Sequence, residues 1–558
     1  MSKLLVKVND RVLADFDNGQ TEYRYPMPEN ADAVPTVSAM IQTVDSSGRI
    51  QETPVDVIQA VRLPDCALFE ASGKTYRIRF VREGSWMDIS TDIYDAFAAD
   101  PNRAAPEFPF FRDYTGTCVM KLFLALPDRE NGSSQVNMNF DEALDAIRQL
   151  DAVTAGVPKI IYLVGWQFHG HDDRYPNWDV VNPYLKCRHL QNEDASESLI
   201  WLMDEALKYN TSVSLHINSS DAFENAPDWE LYIKNDLIRK QDGELFKYAI
   251  FSGEQAYRIN HYNEWKSGFY KARVDKLCTM LKGRLERAGS IHSDAFMCFD
   301  SDATSLIEDI GGRCAMIRYW HSKGIDMTSE FSYSFREGAQ TDAEYTWKGV
   351  CAECTETTLG LTPAVWHLIQ PPEYYLKRPA GVLTGCNVPD SKAAFLFGSS
   401  NGAESIVNVG DDGNGLQEGW DAEMTKEFCT TSAVAFYLYR FQRLALENNG
   451  ETAVYAEGLI ADYPSQTIRR NDVVIRDHNN ICVPMSWESD SVLIYSEEGC
   501  NERIWKLDEG WMPVCDAADV FENTVNGRRY LTTAAIIDNT VTLQVNAGQM
   551  LILKPRKG

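Results

Sequence analysis

The chain has 558 residues, with 53 Lys and Arg against 81 Asp and Glu, and a formal net charge of −28. Apolar residues at 44% and charged residues at 24% are ordinary for globular domains with a sizeable core. The acidity argues against a nucleic-acid or anionic-membrane partner, because binding phosphate takes clustered Lys and Arg. It suits a neutral ligand. The 13 Trp and 25 Tyr would serve as stacking platforms for a carbohydrate, although an aromatic core gives the same count.

The N-terminal stretch Met1–Asp10 (MSKLLVKVND) has no apolar run of signal-peptide length, and no 18-residue apolar run follows anywhere. A cytoplasmic protein without a membrane span is therefore expected. The 13 Cys, an odd number without framework spacing, read as reduced thiols. Cys351 and Cys354 form a lone CxxC that lacks the second ligand pair a zinc site needs, so no metal site is assigned there.

Residues 1–135 read as β-rich. Lys3–Val8, Val55–Val61, Thr75–Val81 and Val119–Ala125 are strand-like and separated by Gly, Asn, Asp and Pro, which predicts an N-terminal β-sandwich. The pattern changes near Asn139. Helical spacing in Asp141–Leu150 leads into the apolar strand Lys159–Val164. Helix Glu197–Tyr209 precedes strand Ser212–Asn218, helix Glu264–Glu286 precedes strand Ser290–Phe296, and helix Ser305–Lys323 precedes strand Gly324–Phe331. Strands alternating with helices of this length make parallel βα units, and at least four of them predict a (β/α)8 TIM-like barrel over 136–450. Its closure is expected through Ala364–Ile369 and a helical run over Met424–Leu446, with the strands between 340 and 425 not placed individually. From 451 to 558 the β pattern returns in Asp472–Ile475, Ser491–Tyr495, Tyr530–Ile537 and Thr540–Val545, with turns at Asn526-Gly527 and Asp538-Asn539. A C-terminal β-sandwich is expected.

Reactive groups of a β/α barrel project from the C-terminal ends of its strands. Three strand ends here carry polar groups. After Lys159–Val164 comes Gly165–Pro176 (GWQFHGHDDRYP), which crowds His169, His171, Asp172, Asp173 and Arg174 among aromatics. A metal held by these His and Asp is one reading of that loop, and a weakly specific one. Strand Ser212–Asn218 puts Ser214, His216 and Asn218 on one face by its period of two. The strands beginning at Ser290 and Gly324 put His292 with Asp294 and Thr328 with Glu330, one carboxylate at each strand end. Two carboxylates facing one pocket are what glycoside hydrolysis requires, one acting at the anomeric carbon and one on the leaving-group proton. A carboxylate at a strand end also commonly caps a helix or pairs with Arg, and His216 and His292 fit structural roles as well as substrate contact.

The stretches KIIYLVGWQFHGHDDRYP (159–176), ESLIWLMDEALKYNTSVSLHINSSD (197–221) and GSIHSDAF (289–296) resemble the endo-α-N-acetylgalactosaminidases, glycoside hydrolase family 101, and the related family 129 α-N-acetylgalactosaminidases. The resemblance covers about 175 residues, 159 to 331; the flanking segments are similar in layout only. It implies a retaining hydrolase that releases α-linked N-acetylgalactosamine, or Gal-GalNAc, from O-glycans, mucin among them. By the match, Asp294 would be the nucleophile and Glu330 the general acid/base. Asp172 and Asp173 would hold sugar hydroxyls, and Trp166, His171, His216, Asn218 and His292 would line the pocket. Tyr345, Trp347 and Trp366 are candidates for stacking on sugar, with Trp347 taken as a substrate-binding residue. Two other readings remain open: a retaining glycosidase for another α-linked sugar such as an α-galactoside, and a non-catalytic carbohydrate-binding relative. The partner expected is a small-molecule or glycopeptide carbohydrate, with no nucleic acid and no membrane. No cofactor is expected to be required; relatives can carry calcium, but no EF-hand-like loop occurs here.

Overall fold

The structure, a computed structural model, describes residues 110–294, 296, 301–304, 306–329, 376, 392–398, 418–508 and 515–556. It also describes the N-terminal segments 2–8, 11–13, 21–27, 36–44, 49–55, 57–59, 66–72 and 74–82. The N-terminal strands form two four-stranded sheets. One runs in the order Arg11–Val12, Ser2–Val8, Val37–Val44, Ile50–Val55; the other runs Glu22–Met27, Lys74–Arg82, Cys66–Ala71, Val57–Gln59. Val6, Val8, Val37, Ala39, Tyr76 and Ile78 form a small core of their own.

Five parallel strands follow: Cys118–Phe123, Lys159–Val164, Thr211–Asn218, Ser290–Asp294 and Asp326–Ser329. Their order across the sheet is their order in the chain, and every neighbouring pair is parallel. The first of them was expected in the N-terminal sandwich. It belongs here because all six of its residues are buried, Lys121 included, as befits a strand covered on both faces and not on one. The strands expected to close a barrel, including Ala364–Ile369, lie outside the described residues.

Local chemistry sets the connecting helices. Phe140–Val153 starts at a capping box in which Asn139 and Glu142 satisfy each other's backbone N–H groups. It buries Phe140, Ala143, Ala146, Ile147, Leu150 and Val153, the spacing of one helical stripe. The single helix expected over Glu264–Glu286 is three: His261–Ser267, Phe269–Met280 and Arg284–Ala288. Gly268 and Gly283, both at φ 81°, break it in the left-handed region. The helical run expected over Met424–Leu446 ends at Leu438, and Arg443–Glu447 is instead the first strand of a ten-stranded antiparallel sheet that ends at Gly527–Ala535. A separate ladder of Cys500–Lys506 and Thr540–Val545 covers one face of that sheet, with Trp505, Val541 and Leu543 packed against Val492, Ile494, Val520 and Leu551. The sheet grips the first βα unit: Asn523 Nδ2 donates to the Ala152 carbonyl at 2.6 Å, and Trp487 Nε1 and Arg528 each donate to Ala155 O at 3.1 Å.

The described cysteines Cys118, Cys187, Cys278, Cys429, Cys482, Cys500 and Cys515 are free thiols. Burial pushes the Cys118 and Cys482 thiols up to about 12, so both stay protonated. Cys351 and Cys354 are outside the described residues. Among the described residues, no helix is long and apolar enough to cross a membrane.

Candidate active site

Strand register brings distant residues into rows. His216 of the third parallel strand lies beside His292 of the fourth, and His292 beside Thr328 of the fifth. One step on, Asn218 lies beside Asp294, the last residue of its strand. The rows become a stack of rings along the sheet: Tyr162 on His292 at 5.3 Å, His292 on His216 at 5.1 Å and His216 on His171 at 5.2 Å between centroids. His292 Nδ1 and Thr328 Oγ1 are 2.8 Å apart, which fixes the ring at the base of the stack.

The loop Gly165–Pro176 folds over the sheet's C-terminal edge because it presses against Ala125 and Leu126. A Cβ on Gly165 (φ 76°) would stand 2.1 Å from the Ala125 carbonyl oxygen, and one on Gly170 (φ 140°) 2.6 Å from the same atom. The His171 N–H donates to that carbonyl at 2.9 Å. Asp173 is buried beneath the loop. Its Oδ1 accepts from Arg129 at 3.2 Å and from Asn225 at 3.3 Å, and its Oδ2 accepts from the His169 backbone N–H at 3.2 Å. Trp166 is wholly buried too and donates its indole N–H to the His216 carbonyl at 2.8 Å. Both residues were expected to line the sugar pocket; both side chains are buried and hydrogen-bonded within the protein.

Asp294 and its neighbours in the loop stay partly open to solvent. The side chains of Asp294 and Asp172 are each 14% exposed and that of His171 is 19% exposed, whereas His216 is 3% exposed. His216 Nε2 stands 3.4 Å from Asp294 Oδ2, and His171 Nε2 stands 3.4 Å from Asp172 Oδ2. A partly exposed carboxylate at a strand end, beside an imidazole and an amide, is a group that can attack or bind a neutral polar substrate. His171, His216 and Asp294 also bring one ligand atom each within 4.8 Å of one another, close enough to share a divalent ion.

Glu330 and Trp347 lie outside the described residues, as do Tyr345 and Trp366. Three residues that the sequence reading did not single out stand in this region. Tyr175 is wholly buried and its hydroxyl accepts from Gln167 Nε2 at 3.0 Å; burial, then the nearby Asp172 and Asp294 charges, hold its phenol well above the usual range. Asp221 and Arg258 form a buried ion pair at 2.6 Å. Burial raises the Asp221 pKa, Arg258 opposes that shift, and the Asp294 charge adds to it. The only sequence signal for these two was their place, one just after the His216–Asn218 strand end and the other on the strand that pairs with it.

A further arrangement needs separating from the site. Ser220 Oγ is 3.2 Å from His261 Nε2, and His261 Nδ1 is 3.1 Å from Asp309 Oδ2, the order of a Ser–His–Asp triad. All three are buried to within 2% of full, and Asp309 also accepts from the backbone N–H of His261 and Tyr262. No acyl substrate reaches Ser220, so this triad is structural.

The sequence profile of the endo-α-N-acetylgalactosaminidases, glycoside hydrolase family 101, matches residues 128–354. No curated protein matches the chain. Among solved structures, α-N-acetylgalactosaminidase NagBb from Bifidobacterium bifidum, bound to Gal-NHAc-DNJ, aligns at 14% identity with a TM-score of 0.46, over 77% of this chain and 71% of that one. The family 36 α-galactosidase AgaA from Geobacillus stearothermophilus aligns at 12% identity with a TM-score of 0.34, over 94% of this chain and 66% of that one. The match over 128–354 spans the helix Phe140–Val153, four of the five parallel strands and the loop and strand ends described above: the chain is a glycoside hydrolase, and this segment is similar to family 101.

Proposed function

We propose that the chain is a retaining α-glycoside hydrolase that releases α-linked N-acetylgalactosamine, or Gal-GalNAc, from O-glycans. The observation that carries this is Asp294: a partly exposed carboxylate at the end of a buried parallel strand, faced by His216 and Asn218, within the segment that matches family 101. The five parallel strands would continue into a (β/α)8 barrel, the second catalytic carboxylate being Glu330, directly after the last described residue of the fifth strand. Asp294 attacks the anomeric carbon opposite the leaving group, forming a β-linked glycosyl ester. Glu330 protonates the departing oxygen and then takes a proton from the water that cleaves the ester, so two inversions give net retention. Asp172 and His171, the other partly open polar groups, would meet sugar hydroxyls.

A panel of aryl α-N-acetylgalactosaminides, aryl α-galactosides and a Gal-GalNAc conjugate tests the substrate, and proton NMR of the first-formed product tests the stereochemistry. The N-acetylgalactosaminide or the disaccharide should turn over with α-product released first. Preference for the α-galactoside would move the sugar assignment; binding without turnover would make the chain a carbohydrate-binding relative. Asp294→Asn should abolish turnover in a folded protein. Glu330→Gln should slow substrates with poor leaving groups most, with partial rescue by azide. Wild-type rates in either variant would remove that residue from its role.

A further inference from the structure

The turn that follows the third parallel strand is built with more care than a loop needs. Asn218 Oδ1 accepts from the backbone N–H of both Ser220 and Asp221, each at 2.8 Å. Its Nδ2 donates to Asp221 Oδ2 at 2.8 Å and stands 3.5 Å from Asp294 Oδ2. The amide is thus shared between two carboxylates, and its orientation is set by three bonds within its own turn. Asp221 in turn is fixed twice. It pairs with Arg258 across an antiparallel ladder, and its Oδ1 accepts from Arg258 at 2.6 Å. The guanidinium is clamped flat on the Tyr248 ring at 3.5 Å. Both members of the pair are buried, so solvent and salt screen their interaction less than at the surface.

We propose that the buried Arg258–Asp221 pair, acting through the Asn218 carboxamide, is a positioning element that orients Asp294 and balances the charge around it; this rests on the assignment of Asp294 as the nucleophile. A lone buried Asp221 would set a second negative charge one amide nitrogen away from Asp294, since Asn218 Nδ2 stands 2.8 Å from Asp221 Oδ2 and 3.5 Å from Asp294 Oδ2. Arg258 cancels that charge while leaving Asp221 free to hold the amide. Asp294 then takes one weak N–H donor from Asn218 and faces His216 from the same strand. His171 and Tyr175 approach it from the loop over the sheet edge, with Asp172 beside His171; Asp221 acts on it from the neighbouring turn, and His292 lies beside His216, two residues before Asp294 on its own strand.

The test is a set of pH profiles of kcat/KM on the best aryl α-glycoside, with thermal melting to show that each variant is folded. Removing the negative charge in Asp221→Asn leaves Arg258 uncompensated and should move the acid limb down by about one pH unit. Arg258→Gln leaves Asp221 uncompensated and should move it up by about as much. The double variant should bring the limb back to the wild-type position while kcat stays at least about tenfold reduced, because the amide has lost its anchor. A merely structural pair would lower activity without shifting the limb in opposite directions, and unmoved limbs overturn the proposal. Where the neutral variants do not accumulate as folded protein, Arg258→Lys decides: the limb stays, but the shortened contact should lower kcat about tenfold at unchanged KM, and a wild-type kcat overturns the proposal. An active Asp294→Asn would defeat the nucleophile assignment itself. An inactive Asp294→Asn with unmoved limbs in the pair variants would defeat only this inference.

Discussion

Glu488 sits where the C-terminal sheet meets the first βα unit, and it gives a stability prediction with a sign and a size. Its carboxylate accepts from Arg528 at 2.5 and 2.8 Å and pairs with Lys554, while Arg528 also reaches Ala155 O. Burial raises its pKa, but the bonds from Arg528 and Lys554 outweigh that and bring it down from 4.5 to about 2. A folded pKa below the unfolded one contributes stability that is fully present above the unfolded value and lost as pH falls through the folded one. The shift of about 2.5 units is worth at most about 3 kcal/mol at pH 7, since one unit is about 1.4 kcal/mol. By about pH 3.5 the unfolded chain is largely protonated at this position, and the advantage should shrink to about 2 kcal/mol. Urea unfolding of the wild type and Glu488→Gln at both pH values measures this directly. A difference below about 0.5 kcal/mol at pH 7, or one that does not shrink towards pH 3.5, would refute the reasoning.

Gly165→Ala should cost at least about 2 kcal/mol, from the left-handed backbone and the contact with Ala125 O, and lower the melting temperature by about 2 °C or more. Because the loop it carries holds His171 and Asp172, kcat/KM should fall as well; a variant that melts and turns over like the wild type would show that the loop does not depend on this close approach. Dialysis against a chelator should leave turnover unchanged, while added zinc should inhibit by bridging His171, His216 and Asp294. Activity lost on chelation and restored by a divalent ion would instead make Asp294 a metal ligand.

The parts of this fold that are legible in the sequence are those where one local pattern settles the matter. Lys159–Val164 is buried at every residue and reads as a continuous apolar strand, and the stripe in Phe140–Val153 reads as a helix with its cap. Cys118–Phe123 is equally buried, but it is short and carries Lys121 in its middle, so it looks like its β-rich surroundings. The helix expected to run on to Leu446 misleads because Arg443–Glu447 keeps helix-forming residues and becomes a strand only by pairing with Thr452–Tyr455. At the site, the alternation that groups His216 with Asn218 and His292 with Asp294 is local. That these pairs lie side by side is a matter of register between strands 76 residues apart, which no window of sequence contains. Asp173 and Trp166 show the converse: the motif names them, but only packing reveals that both are buried and bonded to Arg129, Asn225 and the His216 carbonyl. Arg258 was silent because nothing nearby in sequence marks it; Asp221 recruits it across a short antiparallel ladder.

The hydrogen bonds from Asn523, Trp487 and Arg528 to Ala152 O and Ala155 O bear on how small a working enzyme could be made. Those carbonyls lie at the end of the helix between the first two parallel strands; Ala152 O also accepts from the Ala155 N–H, and both take donors more than 300 residues downstream. Trp487 also packs its ring edge to face against Phe428 and Phe436, so its removal would strip apolar cover from the helices before the sheet as well. A truncation ending before Arg443 would therefore not shed a passive appendage; it would leave a helix end and an aromatic seam facing water. Attempts to trim or graft this enzyme would do better to shorten surface turns and to treat the C-terminal sheet as an inseparable half of the catalytic scaffold.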